Sequence, residues 1–354
     1  WVLEDGDYFK DVYDKKGWNV PCFEVDYSKR ITGGPIDLGF EYFYGISASL
    51  DMPPYCFIEN DRVVEIPDRE KERYYQMQRK GMQSPLWNDK EVDITFTKKA
   101  EEFIRKQTQE KPKTPFFLYL APASPHFPCD IRPDFVKGRS DAGDRGDMVV
   151  LFDWIVGQIM DVLDKMKITD NTLLIVSSDN GAVDSCYNGE DYGHKANGRW
   201  RGQKADIWEG GHREPLIIKW PDKIESKTVC NKTICLSDFI ATCSDILDVG
   251  LPEEVGEDSI SFLPSLLNQN TDDLGREEVI HHSAFGHYSI RKGKWKLIDK
   301  LGSGGFTKPK HVSESNKGQL YDVEEDPSEK NNLWDKYPQI VERLSVILNK
   351  IKSS

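Results

Sequence analysis

Apolar and polar positions divide the chain into a weakly periodic start, an alternating middle and a differently patterned end. Residues 1 to about 95 mix Gly, Pro, Asp and aromatics with little period, and read as loops and short elements packed on a core. A helix is predicted over 96–109, where Ala100, Phe103 and Ile104 share a face. The apolar run 115–121, set between prolines, reads as a buried strand. A second helix is predicted over 147–166, with Leu151, Ile155, Ile159, Val162 and Leu163 as its inward stripe. Acidic residues precede it and Lys165 and Lys167 close it, matching the helix dipole. Buried strands follow at 172–177 and 214–220, then a helix over 236–247 with Phe239, Ile240, Cys243 and Leu247 on one side.

Strands and helices alternating in this way predict an α/β domain over 1–275, with a mostly parallel central sheet flanked by helices. After about Gly275 the pattern changes. Segments 287–290 and 295–298 alternate around Lys292-Gly293, a hairpin signal, and 319–323 is another short strand. The last helix, over 337–351, aligns Ile340, Leu344, Ile347 and Ile351. A small antiparallel sheet with one helix is therefore expected over 276–354.

Length and charge narrow the function. A chain of 354 residues suits one large domain and a smaller one. Its 47 basic and 60 acidic side chains give −13, which argues against a general nucleic-acid binder. An anionic small substrate stays open, because a local group of cations can reverse the field in a cleft. No run of eighteen apolar residues offers a membrane span. The seven cysteines (Cys22, Cys56, Cys129, Cys186, Cys230, Cys235 and Cys243) include no Cys-x-x-Cys pair, and the odd count leaves at least one thiol unbridged within a monomer. Asn231-Lys232-Thr233 is a glycosylation sequon, informative only in a secreted chain. The opening segment, Trp1 to Gly6, lacks the basic start and apolar stretch of a signal peptide.

Three places carry candidate chemistry, each just past or just before a predicted buried strand. In Ser124-Pro125-His126-Phe127-Pro128, prolines stiffen the backbone around an imidazole that could move a proton; the plainer reading is a loop histidine bonded to backbone. In Ser177-Ser178-Asp179-Asn180-Gly181, Asp179 and Asn180 offer adjacent hard oxygens suited to calcium or magnesium, although the same residues make turns. The stretch from Gly198 to Pro215 interleaves cations with glycines; its glycines allow close backbone approach and Lys204 could neutralise an anion. A solvated loop is the alternative for that charge run.

These segments, taken in order, resemble the type I sulfatase family within the alkaline-phosphatase-like superfamily. The matching features are Gly39 to Gly45, Pro54 to Asp61, the Pro-His-Phe-Pro loop, Ser-Asp-Asn-Gly, Arg201-Gly202-Gln203-Lys204 and Glu209-Gly210-Gly211-His212-Arg213-Glu214-Pro215. Leu320-Tyr321-Asp322-Val323, Asp326-Pro327-Ser328-Glu329 and Asn332-Leu333 extend the match into the tail. The resemblance implies a hydrolase of sulfate esters, acting on a sulfated small molecule or glycan. It implies His126 at the sulfate and leaving-group oxygen, Lys204 bridging the two, and Asp179 and Asn180 as ligands of one Ca2+ ion. His194 and His282 are further candidates to line the substrate pocket, the latter within His281-His282-Ser283. Arg213 is expected to anchor a loop. Aromatics at Tyr42 to Tyr44, Tyr55, Trp200 and Trp208 suggest saccharide-binding walls. The family also implies a secreted, periplasmic or lysosomal setting.

Several family elements are missing. The nucleophile in this family is a formylglycine made within Cys/Ser-x-Pro-x-Arg, and no cysteine or serine of this chain sits in that pattern. Two further calcium-binding aspartates and a Lys-x-His element are also absent, so the expectation is an N-terminally truncated chain, inactive alone. Two other functions remain in view. One is a phosphodiesterase or phosphatase of the same superfamily, for which Asn180 in place of a second acid or histidine is unfavourable. The other is a non-catalytic binder of sulfated glycans.

Overall fold

The computed structural model describes residues 25–72, 78–183, 192–267, 276–312 and 317–353. By contacts the chain forms two compact units, Trp1–Thr169 and Asp170–Ser354.

In the first unit, short antiparallel pairings open the chain: β1 (Tyr44–Gly45), β2 (Ile58–Glu59) and β3 (Arg62–Val63) in one ribbon, β4 (Arg69–Glu70) with β5 (Met82–Gln83) in another. Two long helices follow, α1 (Val92–Glu110) and α2 (Gly143–Lys165). Each starts four residues earlier than predicted: α1 adds Val92, which is buried in the core, and α2 adds a turn of polar residues and glycines. The Asn88 side chain accepts from Lys90 N (3.2 Å) in the 3-10 turn that leads into α1. The core of the unit gathers Leu50, Tyr55, Phe57, Trp87, Val92, Phe96 and Ile131. A second cluster holds Val136 against Met148, Leu151 and Ile155 of α2.

The apolar run 115–121 departs from expectation. It forms no ladder among the described residues, and Phe117 and Tyr119 are 67% and 73% exposed while Phe116, Leu118 and Leu120 are half-buried. A strand buried on both faces needs neighbours on either side, and the apolar content of one segment does not specify them.

In the second unit, β6 (Leu174–Val176) pairs antiparallel with β7 (Ile217–Lys219), within a domain whose central sheet was expected to be mostly parallel. The stretch between them holds, among the described residues, one helical turn, α3 (Glu209–His212), and no crossover helix of the length that parallel neighbours require. Helices α4 (Phe239–Leu247) and α5 (Leu263–Leu266) follow. The tail is an antiparallel sheet with one helix, as read from the pattern, with one strand, at 278–282, that the pattern did not give. Strands β8 (Glu278–His282), β9 (Tyr288–Lys292), β10 (Trp295–Ile298) and β11 (Gln319–Asp322) form an antiparallel sheet in the order β11-β10-β9-β8. Lys292 pairs with Trp295, leaving Gly293-Lys294 as a two-residue turn with Gly293 at φ +57°. Helix α6 (Pro338–Lys352) lays Leu344 and Leu348 on Ile290, Leu297 and Leu320 of the sheet. The fold is thus mixed α/β with antiparallel sheets.

The cores also correct the reading of the aromatics. Tyr55 and Trp208 are 0% and 1% exposed and fill cores rather than line a surface. Ile207 and Trp208 pack with Ile298, Tyr321 and Val323, which pins the segment just before α3 to the tail sheet.

Candidate active site

His126 stands in the first unit on a loop held by a buried carboxylate. Asp93, on the first turn of α1, accepts from the backbone N–H groups of Ala123 (2.7 Å) and Ser124 (2.9 Å). Burial raises the Asp93 carboxyl above its ordinary range, against those hydrogen bonds. The His126 N–H donates to the Ala123 carbonyl (2.9 Å), and the imidazole Nδ1 lies 2.8 Å from the Phe127 carbonyl. A carbonyl only accepts, so Nδ1 carries the proton and Nε2 is left for a ligand. Asp51 lies 3.9 Å from Nδ1. The ring is about one-third exposed.

In the second unit, the chain leaving β6 carries Asp179 and Asn180. Asn180 Nδ2 donates to the Gly181 carbonyl (3.1 Å), and Ser178 Oγ donates to the Asn180 carbonyl (3.2 Å). Gly181 N donates to the Gly211 carbonyl (3.2 Å), and a Cβ on Gly181 would sit 1.8 Å from the Gly210 carbonyl oxygen. Only glycine permits that approach. The adjoining Ala182 carbonyl accepts from Lys204 N (3.2 Å). Asn197 completes the clamp: its Oδ1 accepts from Ala182 N (3.0 Å), while Nδ2 donates to the carbonyls of Ala182 (2.8 Å) and Gly202 (3.0 Å). The loops bearing Asp179, Asn180 and Lys204 are therefore bonded to one another. Among the described residues no carboxylate pairs with Lys204 and no cation pairs with Asp179.

Glu214 joins this region. Burial raises its carboxyl to about 7; a backbone hydrogen bond opposes the rise, while the Asp179 and Glu209 carboxylates add to it. Excess negative charge beside Asp179 is what a divalent cation relieves. Asp179 and Asn180 supply hard oxygens of the kind calcium takes, and they fit such an ion as two of its six to eight ligands. Among the described residues no group of three His, Cys, Asp or Glu completes a site.

Beneath α3 lies a buried ionic group that sequence reasoning gave no role. Lys296 on β10 is fully buried, with Nζ 3.1 Å from Glu209 Oε1 and 3.2 Å from Glu329 Oε1. Glu329 Oε2 accepts from Glu209 N (2.7 Å). Burial alone would raise Glu209, but Lys296, Arg291 and Arg213 outweigh it and hold the carboxyl at about 2. Arg213 Nη1 donates to Glu209 Oε2 (2.9 Å), so it anchors the loop as expected. His212 and His281 sit with ring centroids 3.9 Å apart. Burial first, then the nearby Lys296 charge, pushes His212 down to about 4, and His281 falls well below its ordinary value. Both are neutral at pH 7. The signal for Lys296 was available in the β10 alternation, which turns its side chain opposite to Trp295 and Leu297, but a lysine there suggests solvent.

His194 and His282 are both exposed. His282 Nδ1 lies 3.1 Å from the Ser283 carbonyl and its ring faces Tyr288, whereas His281 turns inward onto Ser289 Oγ (2.9 Å from Nε2). Cys56, Cys129, Cys230, Cys235 and Cys243 are free thiols; Cys22 and Cys186 lie outside the described residues. No described helix is long and apolar enough to cross a membrane.

A half-buried amine and a pair of hard oxygens thus stand on loops that are bonded to one another through glycines. Comparison with known proteins gives the chain its family. A family model described as sulfatase matches residues 12–249, and one described as N-sulphoglucosamine sulphohydrolase, C-terminal, matches 199–354. The chain belongs to the sulfatase family, hydrolases of sulfuric esters. It is 31% identical to the N-acetylgalactosamine-6-O-sulfatase of Bacteroides thetaiotaomicron over 99% of this chain and 76% of that protein. It is 30% identical to human steryl-sulfatase over 71% of this chain and 46% of that protein. A solved Bacteroides thetaiotaomicron structure, described under metabolism of multiple glycosaminoglycans, superposes with a TM-score of 0.82 at 28% identity, covering 97% of this chain and 81% of that one. A Pseudoalteromonas sulfatase shares the fold, with a TM-score of 0.71 at 21% identity over 90% of this chain and 67% of that one. The chain therefore spans about three-quarters of the bacterial relative and under half of the human one.

Proposed function

We propose that this chain carries substrate- and metal-binding parts of a carbohydrate sulfatase acting on 6-O-sulfated N-acetylgalactosamine units. The observation that carries it is the loop cluster of Asp179, Asn180 and Lys204, joined by the Ala182–Lys204 bond and the Asn197 clamp. The name of the bacterial relative, matched along nearly the whole chain, supports the sugar.

The reaction forms a bond from the nucleophile's oxygen to sulfur as the bridging S–O bond of the ester breaks; charge gathers on the equatorial sulfuryl oxygens and on the departing alkoxide oxygen. Lys204 neutralises the first and bridges toward the second. His126, with its Nδ1–H committed to the Phe127 carbonyl, takes a proton from solvent at Nε2 and delivers that proton to the departing alkoxide. Asp179 and Asn180 would hold a calcium ion together with ligands from outside this pair, and such an ion would supply Lewis-acid stabilisation of negative charge there. His194 and His282 are assigned to substrate contact. The nucleophile, a formylglycine in this family, is supplied by a segment with the Cys/Ser-x-Pro-x-Arg pattern. In this reading the central sheet is mostly parallel with the antiparallel β6–β7 pair as an exception, residues 1–275 and 276–354 are the catalytic and C-terminal parts, and the setting is secreted, periplasmic or lysosomal.

The test is turnover of N-acetylgalactosamine 6-sulfate by protein that also carries the nucleophile segment. Lys204→Ala and His126→Ala are each expected to lower kcat/KM by about 100-fold or more. Wild-type rates in both variants would reject the assignment, and turnover of the 4-sulfate alone would reject the sugar position.

A further inference from the structure

Arg199, Trp200, Arg201, Ser328 and Lys330 line an open cleft of about 420 Å³ in the second unit. That volume lies at the lower end of ligand sites, which span ~300–1,000 Å³, and suits a single sugar unit. Three of its five lining residues are cations on a chain of net charge −13. Among the described residues no carboxylate pairs with any of the three. The acids on the same turn are engaged elsewhere: Asp326 accepts from Lys330 N (2.8 Å) and Asn331 N (2.7 Å), and Glu329 points to Lys296 and Glu209 N.

The cleft is also built rather than merely charged. Ser328 Oγ donates to the Arg199 carbonyl (2.9 Å), and Arg201 Nη1 donates to the Glu329 carbonyl (2.6 Å), tying its two walls together. Arg201 lies over Trp208, with Cζ 3.5 Å from the ring centroid. Arg199 and Arg213 both pack on Trp200, at 4.7 and 4.0 Å. Aromatic contacts of this sort hold guanidinium groups in place with their edges free to donate. Asn197 bonds both Gly202 O, next to Arg201, and Ala182 O, next to the Asp179–Asn180 loop, so the cleft wall shares its anchor with the candidate active site.

We propose that this cleft is a second anion subsite, binding a sulfate or carboxylate group on a sugar unit beyond the one whose ester is hydrolysed. The proposal rests on the reading of the substrate as a sulfated glycan. It makes the protein a reader of oligosaccharides rather than of single sulfated sugars.

The probes are a chondroitin 6-sulfate tetrasaccharide, its desulfated counterpart and N-acetylgalactosamine 6-sulfate, with affinities measured by calorimetry on the full chain. The tetrasaccharide is expected to bind about tenfold or more tighter than the monosaccharide, as charge-assisted hydrogen bonds to an added anion would give. Arg199→Ala with Lys330→Ala should remove that advantage and leave monosaccharide affinity unchanged. Lys223→Ala with Lys227→Ala, which removes the same net charge, should keep it. An advantage that survives in the desulfated probe identifies a carboxylate as the group read; its loss identifies sulfate. A tetrasaccharide no tighter than the monosaccharide, or an advantage retained in the cleft variant, overturns the subsite. Turnover of the monosaccharide by nucleophile-bearing protein reports on the hydrolase reading alone. Its failure, with binding still dependent on Arg199 and Lys330, would strike that reading and leave the cleft a glycan site.

Discussion

At the scale of single residues, the site depends on which atoms are already committed. His126 has its Nδ1 on a carbonyl, so the useful face is settled before any ligand arrives. Asp93 is not expected to touch substrate, yet it holds two backbone N–H groups of that loop. Asp93→Asn can satisfy only one of them with its single carbonyl oxygen. The variant should lose about 1–3 kcal/mol of stability, read by urea unfolding, and an unchanged midpoint would refute the role. Glu214 gives the pH signature. Its folded-state value of about 7 lies above the ordinary 4.5, so the unfolded chain holds fewer protons between those values. Its contribution is fully present below about pH 4.5 and is lost as pH rises through 7. The melting temperature of wild type minus that of Glu214→Gln should therefore fall from pH 5 to pH 8; a constant difference would mean the carboxyl is not displaced.

At the scale of elements, α3 is where loop, tail sheet and ion cluster meet. Four residues of helix have little stability of their own, so the Lys296–Glu209–Glu329 group and the Gly210–Gly211 contacts hold the turn in place. Lys296→Met leaves Glu209 with Arg213 and Arg291 but strips a buried charge from two carboxylates. A loss of about 3–5 kcal/mol follows from breaking such a group on one side only. Differential scanning calorimetry reads it, and Lys296→Arg should restore little, since a fully buried site has no room for the wider fork. Helix α6 offers a simpler test. Leu344 is fully buried against the tail sheet, and Leu344→Ala should cost about 2–5 kcal/mol.

At the scale of the whole molecule, the proposed nucleophile can be tested apart from the residues of this chain. This 354-residue sequence has no Cys/Ser-x-Pro-x-Arg pattern, so the polypeptide by itself should not turn over a sulfated chromogenic ester and should bind calcium weakly. Appreciable turnover would show that the nucleophile has been assigned wrongly. Joining a segment with that pattern should restore activity together with tighter calcium binding, read by equilibrium dialysis; activity without any calcium requirement would remove Asp179 and Asn180 from the metal.

What the sequence determined by itself was local or ordered along the chain. The 3.6-residue stripes of α1, α2 and α6, the β9–β10 hairpin (with its turn one residue later than read) and strand β11 follow from periodicity and turn chemistry, which act over a few residues. The family was legible because its motifs occur in sequence order, whatever their placement in space. Tertiary structure alone decided the direction of the β6–β7 pairing, because apolar runs look the same whether their neighbour runs parallel or antiparallel. It also decided that Tyr55 and Trp208 fill cores, that His281 turns inward while His282 does not, and that Lys296 is buried with two glutamates. Each of those outcomes depends on partners far away along the chain, and a side chain's burial is a property of the neighbours that folding brings to it.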